Sequence, residues 1–127
     1  MPTSITLLTD IARVVKSAFG GQEKTHEVVG DGATVVDLAD GNVQTLVLEG
    51  DTTLSLIGAE DGVSCSLVLK VRQDGIGEHT LTLPTALWPG GAVPSLPDAP
   101  GTLSKLVFET TDGGVTWEGN VAGMDYA

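Results

Sequence analysis

From residue 28 onward, apolar and polar residues alternate, and turn residues interrupt the alternation at intervals of about 8–12 residues. Period two puts successive side chains on opposite faces of an extended strand, so the body of this chain reads as β and not as helix. Val28-Val29 run into Gly30-Asp31-Gly32, residues 35 to 38 into Asp40-Gly41-Asn42, and residues 43 to 48 into Glu49-Gly50-Asp51. Leu54 and Leu56 alternate with Thr53 and Ser55. In the longest run Val63, Cys65, Leu67, Leu69 and Val71 share one face and Ser64, Ser66, Val68, Lys70 and Arg72 the other, so the first face is expected inside. Leu81 and Leu83 alternate with Thr80 and Thr82. Residues 103 to 109 and 115 to 121 are joined by Thr111-Asp112-Gly113-Gly114, a hairpin signal. These runs predict about eight short strands in a sandwich or barrel. The 17 glycines and a charged fraction of only 18% fit that reading, since tight turns use glycine and strand interiors use few charges.

The first nineteen residues follow another rule. Ile5, Leu8, Ile11, Ala12, Val15 and Phe19 recur at steps of three and four, and Leu7, Ile11, Val14 and Ala18 form a second row. Such spacing predicts a short helix, opened by Ser4 and ended by Gly20-Gly21, with apolar groups over more than half its circumference. About two heptads are too few for a self-sufficient coiled coil, so these rows are expected to seek a partner. Residues 20 to 27 are polar and read as a linker. The expected organisation is therefore an anchoring arm at 1–19, a linker at 20–27 and a β-module at 28–127. Met1-Pro2-Thr3-Ser4 lacks the basic start of a signal peptide, so the mature chain is expected to begin there.

Charge and composition exclude several roles. A net charge of −11 with six Lys and Arg opposes nucleic acid, because phosphate binding depends on cations that displace counterions. No run approaches the ~20 apolar residues that span a bilayer, and an acidic surface disfavours anionic membranes, so no membrane partner is expected. Cys65 is the sole cysteine, which excludes an internal disulfide and a Cys-rich zinc cluster; on the apolar face of its strand it is expected to be an inert thiol.

No residue pattern assembles a catalytic constellation. His26 and His79 lie in different segments without a nucleophile motif around them, and His79 is expected as a surface imidazole beside Glu78. Asp37, Asp40 and Asn42 lack the alternating positions and terminal Glu of a calcium loop, so most acids are assigned to turns. The Gly-rich turns do not open a helix and lack the Lys of a phosphate loop. Trp117 is expected in the core. No enzyme, metal or cofactor is expected. Residues 84 to 101 hold all but one of the six prolines and read as an ordered surface loop. Trp88, Pro89, Val93 and Leu96 are its candidate interface residues.

Several segments in order resemble a β-module of bacteriophage virion proteins. They are Ala33-Thr34-Val35-Val36-Asp37-Leu38, Gly41-Asn42-Val43, Thr45-Leu46-Val47-Leu48, Gly50-Asp51-Thr52-Thr53-Leu54-Ser55-Leu56 and Ser66-Leu67-Val68-Leu69-Lys70-Val71, followed by Leu81-Thr82-Leu83-Pro84. Leu87-Trp88-Pro89-Gly90-Gly91, Leu106-Val107-Phe108 and Asp112-Gly113-Gly114-Val115-Thr116-Trp117 complete the match. The resemblance implies a jelly-roll-like β-sandwich, commonly trimeric, at fibre ends or on virion surfaces, with no catalytic residues to carry over. The present chain is more acidic and has no shaft repeat before the module.

The expectation is thus a homotrimeric capsid decoration protein on the phage particle surface. Ile5, Leu7, Leu8, Ile11, Val14, Val15 and Phe19 would grip the major capsid protein or another virion protein. Three weak contacts held together add through effective concentration. The alternative expectation is a tail-fibre tip or baseplate protein that recognises a host surface glycan.

Overall fold

The computed structural model describes residues 25–126. The chain is mainly β, as the alternation requires. Six strands follow in order: β1 (His26–Asp37), β2 (Val43–Ile57), β3 (Asp61–Gln73), β4 (Leu81–Thr82), β5 (Leu103–Asp112) and β6 (Glu118–Tyr126). Two of the expected turns are bends inside strands, which reduces eight expected strands to six. Gly30-Asp31-Gly32 lies within β1 and Glu49-Gly50-Asp51 within β2. The sheet also begins at His26, inside the segment expected as linker. The expected arm helix, with Ile5, Leu7, Leu8, Ile11, Val14, Val15 and Phe19, lies outside the described residues.

The pairing differs from that of a jelly-roll-like sandwich, whose strands pair antiparallel. β1–β2, β2–β3 and β2–β4 are all parallel. His26 is opposite Gln44 and Gln44 opposite Leu69; further along, Ala33 is opposite Thr53 and Thr53 opposite Thr82. Successive passes of the chain therefore stack on one another as a coil. Straight parallel strands need a crossover of a dozen or more residues, yet only residues 38 to 42 join β1 to β2. Five residues reach back because β1 and β2 turn a corner, marked by the register shift between Gly30 and Gly32. At that corner Gly50 lies close against the Asp31 carboxylate, which a Cβ there would displace. The other end is closed by antiparallel strands, β5 against β3 and β6 against β5.

The core lies inside the coil. Val36, Leu46, Leu48, Leu67, Leu69, Leu106 and Phe108 are almost fully enclosed, each worth about 1.5–3 kcal/mol of burial. Leu67, Leu69 and Val71 point inward as the alternation predicts. Val63 and Cys65 depart from it: Val63 is 47% exposed and Cys65 half-buried. The cause is topological. β2 pairs with β3 only from Val68 onward, so the first part of β3 has β5 alone beside it and projects past the coil.

Candidate functional site

The proline-rich segment is irregular, as expected, but its tryptophan faces inward. Leu87 donates its N–H to the Trp117 carbonyl at 2.7 Å, and Gly119 donates to the Leu87 carbonyl at 2.9 Å, which fixes the start of the loop to β6. Trp88 is 8% exposed and meets Phe108 edge-on at 5.7 Å between ring centroids. Trp117, buried as predicted, meets the same ring at 6.4 Å. The two indoles therefore bracket Phe108, and a Cβ on Gly119 would strike the Trp88 ring. Of the expected interface residues, Trp88 belongs to the core. Pro89 is exposed in a short 3-10 turn at Pro89–Gly91, Val93 is 66% exposed, and Leu96 is half-buried against the core.

Beneath residues 94 to 98 lies a cavity of about 320 Å³, lined by Gln73, His79, Ser95 and Asp98 and by Leu48 and Leu96. The corner after β3 positions its polar wall. Asp74 Oδ1 accepts the N–H groups of Ile76 at 3.0 Å and Gly77 at 2.9 Å, and His79 Nε2 lies 2.9 Å from the same oxygen. Gln73 holds the backbone of His79 at both ends: its Nε2 donates to the His79 carbonyl at 2.8 Å, and its Oε1 accepts the His79 N–H at 3.2 Å. His79 is therefore largely enclosed, with 14% of its side chain exposed, and not the surface imidazole expected from its neighbours. The Gly77 N–H, ahead of its other partners, holds the Asp74 carboxyl below the usual carboxylate range.

The imidazole is directed at Asp74 through Nε2. Both polar ends of Gln73 are taken by backbone, while Thr80, Ser95, Asp98 and Ser104 also line the cavity. They suit a small hydroxylated ligand. Among the described residues no group of three or more His, Cys, Asp or Glu side chains is gathered for a metal ion. Asp37 caps the 3-10 turn at Leu38–Asp40 through Ala39 N–H at 2.9 Å, and Asp40 lies 3.6 Å from the His26 imidazole.

A second candidate surface is the outer face of β3 and β5, whose inward residues alternate with Val68, Lys70 and Arg72 and with Lys105, Val107 and Glu109. Alternation alone showed the β3 part. The facing β5 part needs the register, which places Lys70 directly opposite Lys105 and Val68 opposite Val107. Comparison of the chain with protein-family models, with curated proteins and with solved structures returns no match.

Proposed function

We propose that this protein is a bacteriophage virion accessory protein, a homotrimeric decoration protein attached to the major capsid protein or another virion protein through residues 1–19. The observation that supports the reading best is the coil itself. Its described core is built from residues between Val28 and Trp117, so the β-body brings its own hydrophobic centre. That gives an attachment segment a rigid, acidic body to present to solvent, where like charge keeps neighbouring particles apart. The apolar rows of Ile5, Leu8, Val15 and Phe19 then serve the shell.

Particle stoichiometry tests it. Decoration requires many tens of copies or more per particle, counted by quantitative gel or mass spectrometry of purified virions. Deleting residues 1–19 abolishes incorporation, and the free chain has a mass near three times 13.0 kDa, or six times where two such trimers pair. A truncated chain that still enters particles at full occupancy refutes the attachment role.

The cavity beside Ser95 and Asp98 favours one second reading, a tail-fibre tip or baseplate protein that takes a host surface glycan. A handful of copies per particle, together with glycan binding lost in Asp98→Ala, selects this reading over the first. Trp88→Ala does not serve as the probe, because that ring is in the core.

A further inference from the structure

After residue 24 the only lysines and arginines are Lys70, Arg72 and Lys105, in a body otherwise rich in carboxylates. All three stand on the outer face of β3 and β5, in neighbouring register positions: Lys70 is opposite Lys105, and Arg72 opposite Leu103. Like charges directly across a strand pair destabilise a sheet. Among the described residues neither lysine forms an ion pair with a carboxylate, and Lys105 Nζ rests 5.1 Å from the Tyr126 ring centroid. Among the described residues, the pair therefore has no carboxylate to neutralise it.

The register shows what would neutralise it. Val43, Val68, Val107 and Asn120 form one row across the face. On one side of that row lies Thr45, Lys70 and Lys105; on the other lies Ser66, Glu109 and Glu118. Lys105 and Glu109 are thus equidistant from Val107 along β5, about 7 Å to either side. A surface with cations on one side of an apolar line and anions on the other matches itself when turned over about that line.

We propose that this face binds a second copy of the chain about a two-fold axis along the valine row. Val68 and Val107 then lie against their own counterparts. Glu109 of each copy lies over the Lys70–Lys105 pair of the other, across sheets about 10 Å apart, a gap that lysine and glutamate side chains bridge. The contact is isologous, so it closes on two copies and does not propagate. It stands apart from the proposed three-fold grouping: alone it gives dimers, and combined with a three-fold it gives six copies.

Charge reversal tests the inference in the full chain, by sedimentation or light scattering with circular dichroism as the folding control. The wild type has a mass of two or six times 13.0 kDa. Lys105→Glu and Glu109→Lys each weaken the two-fold contact by about tenfold or more, because each sets like charge against like. The double variant Lys105→Glu/Glu109→Lys regains it, since the swapped charges again match. Val107→Asp, at the axis, abolishes it while the far-ultraviolet spectrum is unchanged. A wild type found only as monomer or trimer overturns the proposal, as does a double variant no better associated than the singles. Loss of the three-fold alone leaves dimers, so the two readings fail separately.

Discussion

Asp74 Oδ1 lies 2.9 Å from His79 Nε2 and collects two backbone N–H groups as well, so a single carboxylate oxygen closes the turn between β3 and β4. The same device recurs twice. Asp51 Oδ1 accepts the Thr80 N–H at 2.9 Å, joining the corner of one pass to the next. Asp112 Oδ1 accepts the Thr116 N–H at 2.8 Å and the Thr110 hydroxyl at 2.9 Å within the last turn. An acidic chain here uses its carboxylates as clasps for loops, where no cation is needed because the backbone supplies the donors.

These clasps make stability depend on acid. Backbone donors lower all three carboxyls: chiefly Gly77 N–H for Asp74, Thr80 N–H for Asp51 and Thr116 N–H for Asp112. A carboxyl whose folded pKa is depressed contributes stability above its unfolded pKa and loses it as pH falls through the folded value. The expected melting temperature is therefore insensitive to these groups near neutrality and drops below about pH 4. Asp74→Ala melts lower at neutral pH and declines less steeply in acid. Parallel wild-type and variant curves across that range would show that the clasp contributes nothing.

Trp88→Ala is expected to act as a core mutation. The ring fills one side of Phe108 and lies against Gly119, so truncation costs about 3–5 kcal/mol. Chemical denaturation checks it, with Val93→Ala, at an exposed position of the same loop, near wild type. Equal stability for both variants would return Trp88 to the loop surface.

The strand class was legible because Leu67, Leu69 and Val71 keep their period into the part of β3 that is covered on both edges from Val68 onward. The coil was not legible. Gly30-Asp31-Gly32 has the composition of a reversal and also of a corner, and only the partner pass tells them apart. Trp88 was misplaced for a related reason. Flanking prolines bar a strand ladder, but they leave a side chain free to point into a core that has few other aromatics to fill it. His79 gave no local sign of enclosure, since Gln73 and Asp74 surround it through a turn whose path depends on Gly77. The outer-face charge pattern needed the register of β5 against β3, a non-local quantity.

Gln44 offers a sharper chemical test. It is fully buried, and its Nε2 donates to the carbonyls of both Asp37 and Gly41 at 2.7 Å, holding the short return from β1 to β2. Gln44→Leu leaves those carbonyls without that donor at an expected cost of about 1–3 kcal/mol. Gln44→Glu is worse at neutral pH, where a carboxylate faces two carbonyl oxygens, and recovers in part in mild acid, where the protonated group donates to one of them. A Glu variant whose stability relative to wild type ignores pH would exclude this latch.

Cys65 reports on the part of β3 that projects beyond the coil. Its inward parity marks it for the core, yet β2 pairs with β3 only from Val68, and the thiol is half-buried with Sγ 3.6 Å from the Val63 carbonyl. A small thiol reagent is therefore expected to modify the folded chain at this single site without denaturant, as accessibility rather than unfolding controls the reaction. Val63, at 47% exposure, sits beside it and contributes little to stability, so Val63→Ser is expected to change the unfolding free energy by less than about 0.5 kcal/mol. Labelling that proceeds only at the global unfolding rate would place this segment under cover and shorten the projection accordingly.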